Sequence, residues 1–297
     1  MAQEFTPRRN IAGILLATVI WGRMIKFQYS IFALPYAWLG AFLAARGLPP
    51  LNALIWLTIA MVGVRSFAMT LNRLADLDLD RLNPRTAKRA LVTGDISLNA
   101  ARVFAFGSAL VYFGACVFIG RLALILSPIP IMVIIVYSWS KRWTWTSPFI
   151  LGLAHAFAPA AGWISVDQHL TLPIALFSCA VLFWTAGFDM IYSTQDLDFD
   201  IACSLPSLPA RSGVAVTLDL AACSHFVFII FLFLAVWGNG LGWIGLLMWL
   251  LVVGAIILEH RLVKPDDLRR LNTAFFTLNA VIAISIFVGA LLAIFLG

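Results

Sequence analysis

Nine long apolar segments, separated by polar or glycine- and proline-containing stretches, dominate this sequence. Each is about 20 residues long, the length that a helix needs to cross the hydrocarbon core of a bilayer. The predicted spans are residues 27–46, 52–72, 101–120, 122–140, 148–165, 171–192, 220–238, 241–259 and 273–296. Only 11% of the residues are charged, against about 25% in soluble domains. The sequence therefore predicts an all-α, polytopic membrane bundle of nine transmembrane helices.

The nine spans leave only loops between them, so residues 1–297 are predicted to form a single integral-membrane domain. The four cysteines and four histidines are dispersed without C-x-x-C or H-E-x-x-H motifs, which argues against a disulfide framework or a zinc site. The basic residues lie beside spans, so the net charge of +6 does not indicate nucleic acid. The apolar residues 11–20 lack a following small-residue cleavage site, and we interpret them as an uncleaved interfacial helix.

Charged residues are distributed unequally between alternate loops. The long polar connections are residues 73–100, 193–219 and 260–272. When the loops are assigned alternately to the two sides, all Lys and Arg except Arg46 and Arg121 fall on the side of these connections, which is then cytoplasmic. All Asp and Glu except Asp167 fall there too, and no topology rule accounts for that. We therefore expect a central cavity and an active site that open to the cytoplasmic side of the inner (plasma) membrane.

Two segments concentrate the carboxylates, each at the predicted cytoplasmic end of a span. Residues 72–80 read N-R-L-A-D-L-D-L-D, and residues 189–200 read D-M-I-Y-S-T-Q-D-L-D-F-D. Helical spacing places two sets of side chains on one stripe each: Asn72, Asp76 and Asp80, and Asp189, Tyr192, Asp196 and Asp200. Asp78 and Asp198 point elsewhere and are expected in solvent. The match of D-L-D-L-D with D-L-D-F-D, 120 residues later, indicates an internal duplication.

These carboxylates predict a metal site. Like charges four residues apart on a helix repel each other, so they need a cation. Oxygen ligands without nearby Cys or His favour Mg²⁺, which proteins usually hold with one or two carboxylates and substrate phosphates. We therefore predict Asp76, Asp80, Asp196 and Asp200 as Mg²⁺ ligands that hold a diphosphate. A single stripe of this kind is better explained as solvated loop charges, but two stripes of matching phase favour a site.

Basic residues at helical spacing support a phosphate-bearing substrate. Arg65 lies on the face of Asn72, about two turns deeper, where an unpaired arginine is costly. Lys141 and Arg142 end a span, one turn after Tyr137. The rest of the substrate is expected to be apolar, to suit a mostly apolar bundle.

Three further residues leave alternatives open or favour a structural role. Arg23 and Lys26 fit interfacial anchoring as well as they fit phosphate contact. His155 is interpreted as a helix-packing residue.

These residues together resemble the UbiA superfamily of intramembrane aromatic prenyltransferases. The family motifs N-D-x-x-D-x-x-x-D, D-x-x-x-D and Y-x-x-x-K-R, with an Arg seven residues before the Asn, match Asn72, Asp76, Asp80, Asp189, Tyr192, Asp196, Asp200, Tyr137, Lys141, Arg142 and Arg65. Arg73 stands where the family usually has Asp, and the basic residues usual after Asp200 are absent. Residues 25–27, 32–35, 83–87, 187–189 and 272–279 are similar to the 4-hydroxybenzoate polyprenyltransferase-like branch.

The resemblance implies Mg²⁺-dependent transfer of a polyprenyl group from its diphosphate to an aromatic carbon. The acceptor is expected to be 4-hydroxybenzoate or a dihydroxynaphthoate, in ubiquinone or menaquinone biosynthesis. In this mechanism Tyr137 and Tyr192 stabilise an allylic cation, Asp189 orients the acceptor or takes up the ring proton, and Lys26 holds the acceptor carboxylate.

Other functions stay open at this point. Haem, chlorophyll or archaeal lipid prenylation lies within the same superfamily. A cation-coupled transporter also carries intramembrane carboxylates, but near the bilayer midplane rather than at one face. A CDP-alcohol phosphotransferase is disfavoured because its D-G-x-x-A-R signature is absent from the sequence.

Overall fold

The computed structural model describes residues 19–25 and 34–297, and the regular secondary structure of this part of the chain is helical apart from one isolated β-bridge. Residues 19–24 are helical, and the helices within residues 34–297 are numbered from α1. The α-helices are α1 (Leu34–Ala45), α2 (Leu51–Ala75), α3 (Leu77–Leu82), α4 (Ala90–Thr93), α5 (Leu98–Ile119), α6 (Arg121–Leu126), α7 (Pro128–Ser140), α8 (Ser147–Ile164), α9 (Leu172–Ser193), α10 (Leu197–Ala202), α11 (Leu208–Gly238), α12 (Gly242–Leu262) and α13 (Asn279–Leu296). A 3₁₀ turn, Thr194–Asp196, precedes α10, and a π-helical turn, Thr273–Leu278, precedes α13.

The predicted multi-span helical architecture is confirmed. Among the described residues, eight helical segments are long and apolar enough to cross a membrane, α6 and α7 together forming one of them, and α1 is a ninth, shorter apolar helix. The predicted first span, residues 27–46, lies partly outside the described residues. The predicted span 122–140 is interrupted between α6 and α7, where Ser127 precedes a proline at the first position of α7.

The long helices pack as a closed series of neighbours. Helix α2 contacts α1, α5 and α7, and α8 contacts α7, α9 and α1. Helix α9 then packs against α11, α11 against α12, α12 against α13, and α13 against α1. Glycines permit the closest of these approaches. A Cβ on Gly162 of α8 would overlap the carbonyl oxygen of Ala37, and one on Gly40 of α1 would overlap that of Pro159. Small residues at such crossings let two helix backbones meet, as in other membrane bundles.

One predicted loop is largely helical. Residues 193–219 were expected to form a polar connection, but they contain the 3₁₀ turn, α10 and the first turns of α11. Helix α11 begins twelve residues before the predicted span, after Ser207, whose hydroxyl accepts a hydrogen bond from the amide of Ala210. Leu208 and Leu218 are buried against the end of α9, and this burial outweighs the polar residues that suggested a loop. Gly213, at φ 79°, breaks the helix between them.

A buried polar network joins α9, α12 and the last span. Asn279 Oδ1 accepts a 2.8 Å hydrogen bond from Trp184 Nε1, and Asn279 Nδ2 lies within hydrogen-bond distance of Glu259 Oε1 and the carbonyl oxygens of Ala274 and Phe275. The two carbonyls belong to the π-helical turn. Asn279 therefore satisfies buried polar groups of that turn.

Candidate active site

The C-terminal ends of α2, α7 and α9 meet at one end of the bundle, around Asp76, Lys141 and Asp196. We call this the polar end. Together with α8 they line a cavity of about 380 Å³. This volume is within the range of sites for small molecules and cofactors.

The two acidic motifs face this one cavity. Its lining includes all four predicted metal ligands and three other predicted site residues of the same motifs: Asp76, Asp80, Asp196, Asp200, Asn72, Asp189 and Tyr192. Asp76, Asp80 and Asp200 are each less than a tenth exposed. Asp78 and Asp198, the intervening carboxylates, are exposed, as predicted. The structure therefore brings together the residues that helical spacing placed on the two stripes.

The stripes do not run along unbroken helices. Helix α2 ends at Ala75, Asp76 adopts φ −89° and ψ 3°, and α3 begins at Leu77. After α9, Asp196 adopts φ −100° and ψ 8° before α10 begins at Leu197. Each motif thus breaks its helix at the first Asp of its D-L-D-x-D sequence, in a sparsely populated region of φ/ψ space. This correspondence supports the internal duplication that the sequence indicated.

Two arginines from the segment after α3 pair with these motifs. Arg89 Nη1 lies 2.5 Å from both carboxylate oxygens of Asp80. Arg85 donates to both oxygens of Asp196, from Nε at 3.0 Å and from Nη2 at 2.6 Å. Sequence reasoning assigned neither arginine to the site. Their i, i+4 spacing in N-P-R-T-A-K-R could have indicated that both arginines face the same side. The partner of Arg85 could not be found in this way, because Asp196 is 111 residues away in the sequence.

Several predicted basic and aromatic residues also line the cavity. Lys141 and Tyr137 reach it from α7, and Arg65 reaches it from α2. The Nε of Arg65 is buried and has no hydrogen-bond partner among the described residues. Burial raises the pKa of Asp76 above its ordinary value, and the nearby Lys141 opposes that shift. An anion that enters here would meet cationic groups in a poorly hydrated space.

Aromatic side chains form one wall beside the second motif. The ring of Tyr192 stacks on Phe275, with centroids 4.0 Å apart, and Phe275 packs edge-on against Phe188 and Phe276. All four rings line the cavity. The π-helical turn carries Phe275 and Phe276, which the sequence did not mark as site residues. An aromatic or cationic reacting group can lie against such ring faces.

The rest of the cavity is a mostly apolar arm between α2, α7 and α8, with Arg65 on α2 and His155 on α8 among its lining residues. Its deepest lining residues are Met61 on α2, Pro130 on α7 and Ala161 on α8. Met61 and Asp76 are 15 residues apart along α2, about 22 Å at the helical rise. The arm is therefore long enough for an extended hydrocarbon chain attached to a polar group at the motifs.

One predicted substrate-binding residue, Arg142, is not among the described residues that line the cavity. Arg142 donates a 2.5 Å hydrogen bond to the carbonyl oxygen of Ala75, the last residue of α2. This places it at a helix C-terminus, where cations satisfy free carbonyl groups. Lys26 lies outside the described residues. Its predicted contact with the acceptor stays a prediction.

The donor chemistry of the polar end fits a hard divalent cation, because four carboxylates of two motifs share one cavity. Among residues 19–25 and 34–297, no three His, Cys or carboxylate side chains form a group that could hold a metal ion. Asp80 and Asp196 instead carry the ion pairs with Arg89 and Arg85. The carboxylates are the type of ligand that Mg²⁺ prefers, but Asp80 and Asp196 are ion-paired with arginines in this structure.

Comparison with known proteins agrees with this geometry. The model of the UbiA prenyltransferase family matches residues 33–281. The 4-hydroxybenzoate octaprenyltransferase of Francisella tularensis subsp. novicida is 29% identical over 171 residues, which are 58% of this chain and 60% of that protein. The enzyme of the same name from Actinobacillus pleuropneumoniae serotype 5b is 27% identical over 191 residues, 63% of this chain and 65% of that protein. The chain thus matches less than two thirds of the length of these relatives.

Solved structures match over more of the chain. The apo structure of a UbiA homolog from Aeropyrum pernix K1 superposes with a TM-score of 0.79 at 34% identity, covering 88% of this chain and 96% of that one. A UbiA homolog from Archaeoglobus fulgidus, bound to GPP and Mg²⁺, has a TM-score of 0.72 at 19% identity and covers 91% and 99%. The second likeness shows the fold alone. Because the family model spans most of the sequence and the site motifs meet in one cavity, the chain belongs to the UbiA prenyltransferase family.

Proposed function

We propose that the protein transfers a polyprenyl group from polyprenyl diphosphate to an aromatic carbon of 4-hydroxybenzoate or a related dihydroxynaphthoate, in ubiquinone or menaquinone biosynthesis. One observation carries the proposal: a single cavity has two acidic motifs and four cationic side chains at its polar end, with Arg65 deeper, and a mostly apolar arm at the other end. A diphosphate with a long hydrocarbon chain matches both ends. The names of the two bacterial relatives support the aromatic acceptor.

The reaction needs one bond to break before another forms. The bond between the allylic carbon and the diphosphate oxygen breaks, and the diphosphate leaves with the electron pair. The ring carbon ortho to the acceptor hydroxyl then bonds to the allylic carbon, and the ring loses a proton. Arg65 and Lys141 line the cavity where they can stabilise charge on the leaving diphosphate. Mg²⁺ held by the two motifs would supply further charge neutralisation, as the GPP- and Mg²⁺-bound homolog suggests.

The remaining predicted residues take roles on the acceptor side. Tyr137 and Tyr192 present rings to the cavity and can stabilise the allylic cation. Asp189 lines the cavity next to Phe188 in sequence and can orient the acceptor or take up the ring proton. The apolar arm excludes water, which would otherwise trap the cation as an alcohol. Contact of Lys26 or Arg142 with an anion stays a prediction from the sequence.

The proposal includes a location. The basic loops predict that the polar end faces the cytoplasm and that the protein lies in the inner membrane. The two substrates would then reach the site by different routes. The polyprenyl diphosphate would enter from the lipid bilayer, and the water-soluble acceptor would enter from the cytoplasm.

An assay in liposomes tests the proposal. Purified protein would receive radiolabelled polyprenyl diphosphate and Mg²⁺ with either 4-hydroxybenzoate or 1,4-dihydroxy-6-naphthoate. We expect a lipid-extractable product with one acceptor, lost on addition of EDTA and restored by excess Mg²⁺. Folded protein that forms no product with either acceptor would contradict the proposed acceptor class, and product that persists in EDTA would contradict the metal.

A further inference from the structure

Arg85 and Arg89 form ion pairs with the two acidic motifs. They follow α3 in one short segment and reach different motifs, Arg89 to Asp80 and Arg85 to Asp196. The Asp80 pair is largely buried, with side-chain exposures of 22% for Arg89 and 8% for Asp80. Charge-assisted bonds of this kind are about twice as strong as neutral hydrogen bonds.

The backbone around the arginines is fixed to the same motifs. Asn83 Oδ1 accepts a 2.9 Å hydrogen bond from the amide of Arg85, and Asn83 Nδ2 donates to Asp196 Oδ1 at 3.4 Å. Thr86 Oγ1 donates to the carbonyl oxygen of Asp80 at 3.1 Å. The segment is thus anchored beside the cavity while its two arginine side chains carry the ion pairs. A change of side-chain rotamer can release the arginines without moving the backbone.

The charge of the cavity indicates what could release the arginines from the two carboxylates. Its lining carboxylates and its lining Arg and Lys residues are equal in number: Asp76, Asp80, Asp189, Asp196 and Asp200 against Arg65, Arg73, Arg85, Arg89 and Lys141. A divalent cation alone would upset this balance, and so would a diphosphate alone. If both entered together, Asp80 and Asp196 would be free to bind the metal, and Arg85 and Arg89 would find new anionic partners on the diphosphate. Arg side chains bind phosphate oxygens as readily as carboxylates.

We propose that Arg85 and Arg89 are diphosphate-binding residues that rest on Asp196 and Asp80 until metal and prenyl diphosphate enter together. The inference rests on the proposed function and adds two residues to it. Each arginine competes with metal for its carboxylate in the empty site and binds the substrate in the filled one. The two roles have opposite consequences for the affinity of metal alone and of diphosphate.

Substitution of each arginine separates the two roles. Arg85→Gln and Arg89→Gln remove the competitor from a metal-binding carboxylate, so we expect about threefold to tenfold tighter binding of Mn²⁺ alone. The same variants lose a ligand for the diphosphate, so we expect about tenfold weaker binding of geranyl diphosphate in the presence of Mn²⁺. Mn²⁺ affinity is measured from the electron paramagnetic resonance signal of the free ion, and geranyl diphosphate affinity by calorimetry, both without acceptor. Neither readout depends on turnover.

Arg81→Gln is the matched control. Arg81 lies in the same region and pairs with Asp78 at 3.7 Å, but both side chains are more than half exposed and neither lines the cavity. We expect both affinities to match those of the unmodified protein. Arg85→Lys keeps the charge but not the bidentate contact, so we expect intermediate affinities. Intermediate values would show that the effects of the glutamine variants do not come from misfolding.

The outcomes are distinct. Opposite shifts in the two affinities, absent in Arg81→Gln, support the proposal. Mn²⁺ binding that is unchanged or weakened in both variants, or geranyl diphosphate binding that is unchanged, overturns it and leaves the proposed function standing. If the unmodified protein binds neither Mn²⁺ nor geranyl diphosphate, the proposed function fails and this inference fails with it.

Discussion

Asp76 and Asp196 occupy equivalent positions at two helix breaks, with φ/ψ values of −89°, 3° and −100°, 8°. Each is the first carboxylate of a D-L-D-x-D sequence, and a six-residue helix follows each break. The break keeps Asp76 and Asp80, and likewise Asp196 and Asp200, on the cavity. The second carboxylate of each sequence faces solvent. Two copies of one local structure thus supply the candidate metal ligands.

The roles of Lys141 and Arg142 should separate by kinetics. Lys141→Gln removes a cation from the cavity lining, and we expect at least a tenfold loss in kcat/KM for the prenyl diphosphate. Arg142→Gln removes a hydrogen bond to the carbonyl of Ala75, so we expect a lower melting temperature with that kcat/KM kept within about threefold. Steady-state kinetics and thermal unfolding in detergent measure both. A larger kinetic loss in Arg142→Gln than in Lys141→Gln would contradict these assignments.

The apolar arm should set the longest prenyl chain that the protein accepts. Ala161→Trp fills the deep end of the arm, so we expect loss of long polyprenyl diphosphates while geranyl diphosphate still reacts. Leu153→Trp adds the same ring to an exposed position of α8 and serves as the control. Comparison of rates across a series of chain lengths makes the test. Equal loss for short and long chains in Ala161→Trp would show that the arm does not hold the chain.

The hydrogen bonds of Asn279 should support the aromatic wall. Asn279→Leu leaves the buried groups of Trp184 and Glu259 without this partner and releases the π-helical turn, at a cost of about 1–3 kcal/mol for each unsatisfied group. Phe275 and Phe276 would then shift, and we expect a severalfold higher KM for the acceptor. Thr277→Leu alters an exposed side chain of the same turn and should change neither quantity. An unchanged acceptor KM in a destabilised Asn279→Leu protein would limit the network to stability.

The crossing of α1 and α8 should tolerate no side chain. Gly162→Ala places a methyl group onto the carbonyl of Ala37, and relief of that overlap costs about 1–3 kcal/mol. Gly107→Ala is the control, because nothing lies within 4 Å of its added Cβ and alanine favours the helix. Thermal unfolding of both variants checks the difference. A Gly162→Ala protein as stable as Gly107→Ala would show that the two helices can separate freely.

Much of the fold could be predicted because each span is a run of about 20 apolar residues, and the two acidic stripes could be found because helical spacing fixes which side chains share a face. The start of α11 was predicted twelve residues too late, because Leu208 and Leu218 gain their burial from α9, which a local pattern does not contain. The helix breaks at Asp76 and Asp196 keep the same side chains on the cavity as an unbroken helix would. The residue spacing therefore could not reveal the breaks.

Contacts between distant segments account for most of what the sequence missed. Arg85 and Asp196 are 111 residues apart, and nothing local marks them as a pair. The π-helical turn depends on Asn279, Glu259 and Trp184, which come from three different helices. Arg142 belongs to a basic motif, yet its placement is set by the end of α2. Such features follow from packing rather than from residue type.

The most direct test compares four carboxylates of the same two motifs in one prenyl transfer assay. Asp76→Asn and Asp196→Asn remove charges that line the cavity, whereas Asp78→Asn and Asp198→Asn remove exposed charges from the same sequences. With folding checked by size exclusion and thermal unfolding, the account predicts a loss of about 100-fold or more in kcat for the first pair and at most about threefold for the second. Equal effects in the two pairs, or near-normal turnover of Asp76→Asn and Asp196→Asn, would contradict it.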